Sequence, residues 1–152
     1  MHMESDEDYM DLALGEARKA EAAGEVPVGA IIVSGGAVIG RGFNQPISTT
    51  DPTAHAEIIG LREAARHQRN YRLSNAVMYC TVEPCMMCAG AMMHARIVRL
   101  VFGTPDPKAG SAGSIYNVLT DPRLNHRVDV ISGIREDECA ALLRDFFAHR
   151  RG

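Results

Sequence analysis

Two short strings, His55-Ala56-Glu57 and Pro84-Cys85-Met86-Met87-Cys88, set the tightest condition on how this chain can fold. They carry one imidazole, two thiols and a carboxylate, and a fold that uses them together must close the gap between positions 55 and 85. Cys85 and Cys88 stand at i, i+3, so a single helical turn aims both sulfurs to one side. Both strings read as helix starts, where the helix dipole and unpaired amide groups favour the thiolate. One nitrogen and two sulfur donors make a tetrahedral zinc site with a fourth position left for water. Water held there has its pKa lowered from about 15.7 towards about 7. Glu57, two positions from His55, is placed to shuttle the protons of that water. The residues therefore read as a catalytic zinc site, with His55, Cys85 and Cys88 as metal ligands and Glu57 as general acid/base.

Other readings of the same residues are simpler. A C-x-x-C pair also suits a redox dithiol, which leaves His55 and Glu57 without a role. A structural zinc needs a fourth protein ligand, and His94 or His126 would have to supply it without standing at ligand spacing. Met86, Met87, Met92 and Met93 could be soft copper ligands, but their helical spacing and apolar company favour core packing. Cys80 and Cys139 fall within apolar patterns and read as small buried hydrophobes.

The 152 residues, 46% hydrophobic and 23% charged, fit one compact domain over 1–152, with residues 1–5 expected to be disordered or left over from cloning. No apolar run approaches the ~20 residues that cross a bilayer. The acidic N-terminus lacks the apolar centre of a signal peptide. A cytoplasmic protein with no membrane partner is the expectation. A net charge of −3 neither announces nor excludes nucleic acid, since a local basic patch outweighs the sum. Arginine dominates the 16 cationic residues; that suits phosphate contact and equally fits a coding bias.

Hydrophobic periodicity places these motifs on an alternating frame. A helix is predicted from Asp6 to Ala23, stopped by Gly24. Val28 to Val33 and Ala37 to Phe43 flank Ser34-Gly35-Gly36 as a hairpin. A turn-rich loop covers Asn44 to Thr53, and a helix follows from Ala54 to Gln68 with Thr53 as its N-cap. Strands are predicted at Ala76 to Thr81, Ile97 to Phe102 and Val128 to Ile131. Pro84 opens a helix to His94, and a last helix runs from Arg135 to His149. The result is an α/β domain, a three-layer α/β/α sandwich around a central mixed five-stranded sheet.

H-x-E followed by P-C-x-x-C is the zinc nucleobase deaminase signature. The chain resembles the bacterial tRNA-specific adenosine deaminases, the TadA family of the cytidine/deoxycytidylate deaminase superfamily, over nearly its full length. Glu25-Val26-Pro27-Val28-Gly29-Ala30, Gly42-Phe43-Asn44-Gln45-Pro46, Asp51-Pro52-Thr53-Ala54-His55-Ala56-Glu57, Asn70-Tyr71-Arg72-Leu73, Asn125-His126-Arg127-Val128 and Asp145-Phe146-Phe147 carry the likeness beyond the zinc strings. The resemblance implies a cytidine deaminase-like fold, one Zn2+ per subunit, a homodimer, and conversion of adenosine to inosine at the wobble position of a tRNA anticodon stem-loop. It implies substrate contacts at Asn44 and Asp106, and an anticodon-loop surface from Asp145-Phe146-Phe147 and Arg150-Arg151. Asp106 also suits a loop cap, and Phe146 a core stripe. Gln45 stands where arginine can occur in the family, and the chain ends soon after Arg151, so contacts from a longer basic tail are not expected. The competing expectations are a free-base or nucleoside deaminase acting on guanine or cytosine, and a non-catalytic zinc-stabilised RNA-binding module.

Overall fold

Strict alternation along the strands decides the layering. In β1 (Gly29–Ser34), Ala30 and Ile32 pack into one core cluster while Ile31 and Val33 pack into the other. β3 (Val77–Val82) repeats this with Met78 and Cys80 against Tyr79, and β4 (Arg99–Thr104) with Leu100 and Phe102 against Val101. A strand buried on both faces needs helices on both. The computed structural model of the chain describes residues 4–151, Arg151 by its backbone alone, and shows that arrangement.

β2 (Ala37–Phe43) and β5 (Asp129–Ser132) complete a five-stranded sheet in the order β2-β1-β3-β4-β5. The β2, β1 and β3 pairings are antiparallel, and those of β3, β4 and β5 are parallel. On one face lie α1 (Asp6–Ala22) and α5 (Glu136–Arg151), through Tyr9, Met10, Ala13, Leu14 and Cys139. The other face carries α3 (Ala56–Gln68) and α4 (Met86–Ala95), through Ala56, Leu61, Ala64, Ala89, Met92 and Ala95. This is the expected three-layer α/β/α sandwich with a mixed sheet. Among the described residues, no helix is long and apolar enough to cross a membrane.

Several local expectations change. β1, β3, β4 and β5 each begin and end one or two residues later than the alternation suggests; the residue before β5 is drawn off the sheet, the Val128 amide donating to Leu119 O at 2.9 Å. The expected loop after β2 contains a single-turn helix, α2 (Pro46–Thr49). Met86 and Met87 are not core residues. They occupy the first turn of α4 on its outward side and are exposed, whereas Met92 is fully buried. The expectation for residues 1–5 falls partly on residues 1–3, which lie outside the described residues; Ser5 caps α1, its hydroxyl accepting from the Asp8 amide at 3.1 Å.

One close approach fixes α3 on the sheet. A Cβ at Gly42 would overlap the carbonyl oxygen of Ala56, so only glycine lets the first turn of α3 rest on the end of β2. That turn carries His55 and Glu57.

Candidate active site

Both metal-binding strings start a helix, and in both the first candidate ligand is the N-cap. His55 caps α3 and Cys85 caps α4, each with extended backbone and no side-chain hydrogen bond to its own helix. The predicted cap, Thr53, is turned the other way: its hydroxyl and amide both bond Asp51 Oδ1, at 2.8 and 2.9 Å. Asn44 takes over part of the capping, accepting the Ala56 amide on Oδ1 at 2.8 Å. Pro84 precedes the helix instead of opening it, and its carbonyl accepts the Ser111 amide at 2.9 Å. Freed from capping, the His55 and Cys85 side chains turn to each other.

His55 Nδ1 lies 3.6 Å from Cys85 Sγ and 3.5 Å from Cys88 Sγ. The three donor atoms all lie within 4.8 Å of one another. Tetrahedral zinc, with Zn–N near 2.0 Å and Zn–S near 2.3 Å, sets its nitrogen and sulfur ligands about 3.5 Å apart, so the donor set fits the metal in type and spacing. Among the described residues, no fourth His, Cys, Asp or Glu joins this group. His126 Nε2 instead pairs with Ile97 O at 2.9 Å, and His94 lies at the other end of α4, in its last turn. The structural-zinc reading thus finds no fourth ligand among the described residues.

Electrostatics bind the three groups to one another. A hydrogen bond from Cys88, opposed by burial and reinforced by His55, holds the Cys85 thiol down at about 4. Cys88 is pushed up by its bond to Cys85 and by burial. The Cys85 partner raises the His55 imidazole above its ordinary value. Protons therefore remain on part of the set until a metal displaces them. Glu57 is 4% exposed, and burial raises its carboxyl above the usual carboxylate range. Cys80 and Cys139 are buried thiols, as expected.

His55, Glu57 and Cys85 line a cavity of about 460 Å3 whose walls include Asn44, Asp106, Leu143 and Phe147. Asp106 is also a loop cap: its Oδ1 accepts the Lys108 and Ala109 amides at 3.0 and 3.2 Å. Phe146 does not face the cavity. At 8% exposure it belongs to the core, with Arg150 stacked 5.0 Å from its ring centre, while Phe147 at 43% lines the cavity with Leu143. The Arg151 side chain lies outside the described residues. The signal for Leu143 and Phe147 was their i, i+4 spacing, but only the packing of α5 shows which stripe faces the site. Phe146→Ala is expected to cost about 3 kcal/mol of stability, read by chemical denaturation. Phe147→Ala should leave stability within about 0.5 kcal/mol and weaken substrate binding instead.

The composite of sequence and geometry has close counterparts. Residues 3–104 match the family model of the cytidine and deoxycytidylate deaminase zinc-binding region. The tRNA-specific adenosine deaminase of Haemophilus influenzae is 51% identical over 149 residues, covering 97% of this chain and 86% of that one. That of Bacillus subtilis is 44% identical, covering 98% and 92%. A structure from work on A-to-I editing by tRNA:A34 deaminases at the wobble position of transfer RNA superposes with a TM-score of 0.86 at 45% identity, covering 89% of this chain and 98% of that one. With the H-x-E and P-C-x-x-C strings meeting at one cavity of a cytidine deaminase-like sandwich, the chain belongs to the tRNA-specific adenosine deaminase family.

Proposed function

We infer that this chain is a zinc-dependent hydrolase that converts adenosine to inosine at the wobble position of a tRNA anticodon. The observation that carries the reading is the buried Glu57 carboxyl beside the His55, Cys85 and Cys88 donors, at a cavity with room for one base. When bound, zinc would supply the Lewis acidity that makes hydroxide available at neutral pH. Glu57 takes a proton from the attacking water and delivers it to the adenine ring nitrogen as C6 is attacked. A second transfer through the same carboxyl releases the amino group as ammonia. The raised pKa of Glu57 suits a group that must both accept and donate.

Asn44 and Asp106 hold the nucleotide. Asn44 Oδ1 is occupied by the α3 amide, so its Nδ2 is the atom that donates to the flipped base. Asp106 reaches the sugar or backbone beside the target, from a loop its own side chain braces. A base in an anticodon loop is already unpaired, which lowers the few kcal/mol needed to splay it out. The enzyme works as a homodimer in the cytoplasm, where its substrate is. Exposed Met86 and Met87, with Ile115 and Tyr116 on the loop tied to Pro84, give a second copy an apolar face to cover.

The test is incubation of the zinc-loaded protein with an anticodon stem-loop bearing adenosine at the wobble position, with inosine read by mass spectrometry. Free guanine, cytosine and adenosine are assayed in parallel for ammonia. Inosine in the RNA and no ammonia from the free compounds is the expected result. Ammonia from a free base with unmodified RNA would move the substrate to the small molecules. Light scattering of the same preparation reads the dimer, and a monomer mass would remove that assignment.

A further inference from the structure

Glu83 stands two positions before Cys85, at the end of β3, yet its bonds run away from the metal ligands. It is 3% exposed, and its carboxylate accepts four donors from a single loop. Oε1 receives the Asp106 amide at 3.0 Å and the Ser114 hydroxyl; Oε2 receives the Ala112 and Ser114 amides at 2.9 and 3.0 Å. Gly110 closes against the same group, since a Cβ there would overlap the Glu83 carboxyl carbon. The segment so held includes Asp106 to Ala109, one wall of the cavity over the metal-binding side chains.

We propose that Glu83 is a substrate-positioning residue: its buried carboxylate folds the 104–116 loop around itself and so presents the Asp106–Ala109 wall to the RNA before the RNA arrives. The proposal rests on the deaminase reading above. Beyond Thr104, the last residue of β4, this loop is irregular backbone with a few turn bonds of its own, such as Gly110 N–H to Asp106 O and Ile115 N–H to Gly110 O, and a bridge joins Ala112 to Asn117 just past its end. Three backbone amides from separate turns of the loop, those of Asp106, Ala112 and Ser114, converge on this one acceptor. A loop ordered in advance spares the substrate that ordering cost on binding. The reacting groups, by contrast, sit on α3 and α4 and are held by the sheet. Loss of Glu83 therefore weakens substrate capture more than it slows the chemical step.

The experiment compares Glu83→Gln, Gly110→Ala and Ser114→Ala with the parent chain, all zinc-loaded, for steady-state inosine formation on the stem-loop. Zinc per chain and amide hydrogen exchange over 104–116 are measured on the same samples. KM should rise about ten-fold for Glu83→Gln and Gly110→Ala, and about three-fold for Ser114→Ala, which removes one donor of four. kcat should stay within about two-fold and zinc at about one per chain, because the metal ligands are untouched. Ser114 is exposed, so its variant folds even where the others do not. An unchanged KM in the soluble variants overturns the proposal, and a lower melting temperature alone would mark a purely structural role. Zinc loss in soluble Glu83→Gln also overturns it, by placing the carboxylate with the metal ligands. Should the parent chain form no inosine, the substrate reading fails; unchanged hydrogen-exchange protection over 104–116 in Glu83→Gln would separately overturn the loop-holding role.

Discussion

Glu57→Ala should lower inosine formation by about 10³- to 10⁴-fold while zinc stays at about one ion per chain. The size follows from asking one carboxyl to move two protons in succession, with no second buried acid lining the cavity beside it except Glu83, whose oxygens are engaged by loop donors. Metal retention follows from geometry: His55, Cys85 and Cys88 supply the donor set without Glu57. The alanine also removes a buried carboxyl whose charge is opposed by burial, so the variant should fold at least as stably as its parent. The measurement is single-turnover inosine formation alongside metal analysis. Near-parent turnover would remove the proton-shuttle assignment, and joint loss of zinc and activity would reassign Glu57 to holding the metal.

The second large effect is expected at Cys88. Cys88→Ser keeps the side chain's approximate size but replaces a soft donor with a hard, poorly ionised one. Zinc should fall to about a tenth of an ion per chain and deamination to background. Stability should follow the metal, because an ion that binds only the folded chain stabilises it by about 4 kcal/mol at 1,000 times its Kd. For a domain of this size that corresponds to roughly 10 °C in melting temperature. The parent should lose that margin on chelation and regain it with zinc, whereas Cys88→Ser should respond to neither. A variant that keeps full zinc would show that His55 and Cys85 suffice. Because Cys88 is fully buried at the third position of α4, its sulfur has no solvent-facing alternative in the folded chain.

Local pattern made much of this protein legible in its sequence. Alternation in Gly29–Ser34, Val77–Val82 and Arg99–Thr104 named the buried strands, since period two survives whatever packs on either face. Helical period and flanking breakers named the four long helices. The donor set was legible because metal chemistry restricts both residue type and spacing, and the i, i+3 cysteines carry their geometry within one turn.

What the sequence could not decide were choices made between distant segments. Thr53 is a good N-cap in isolation, but Asp51 claims its hydroxyl and Asn44 arrives from β2 to meet the α3 amide. Phe146 and Phe147 are neighbours of one type, and only the seat of α5 on the sheet sends one to the core and the other to the cavity. Met86 and Met87 read as core until the orientation of α4 turned its first residues outward. Glu83 carries no local signal at all, because the donors that engage it lie more than twenty residues further on. Period and ligand spacing are properties of a single turn or strand, so the sequence by itself determined the long elements and the candidate metal donors. Capping, facing and loop anchoring depend on which groups compete for the same hydrogen bond or the same buried surface, and the tertiary structure alone settles that competition.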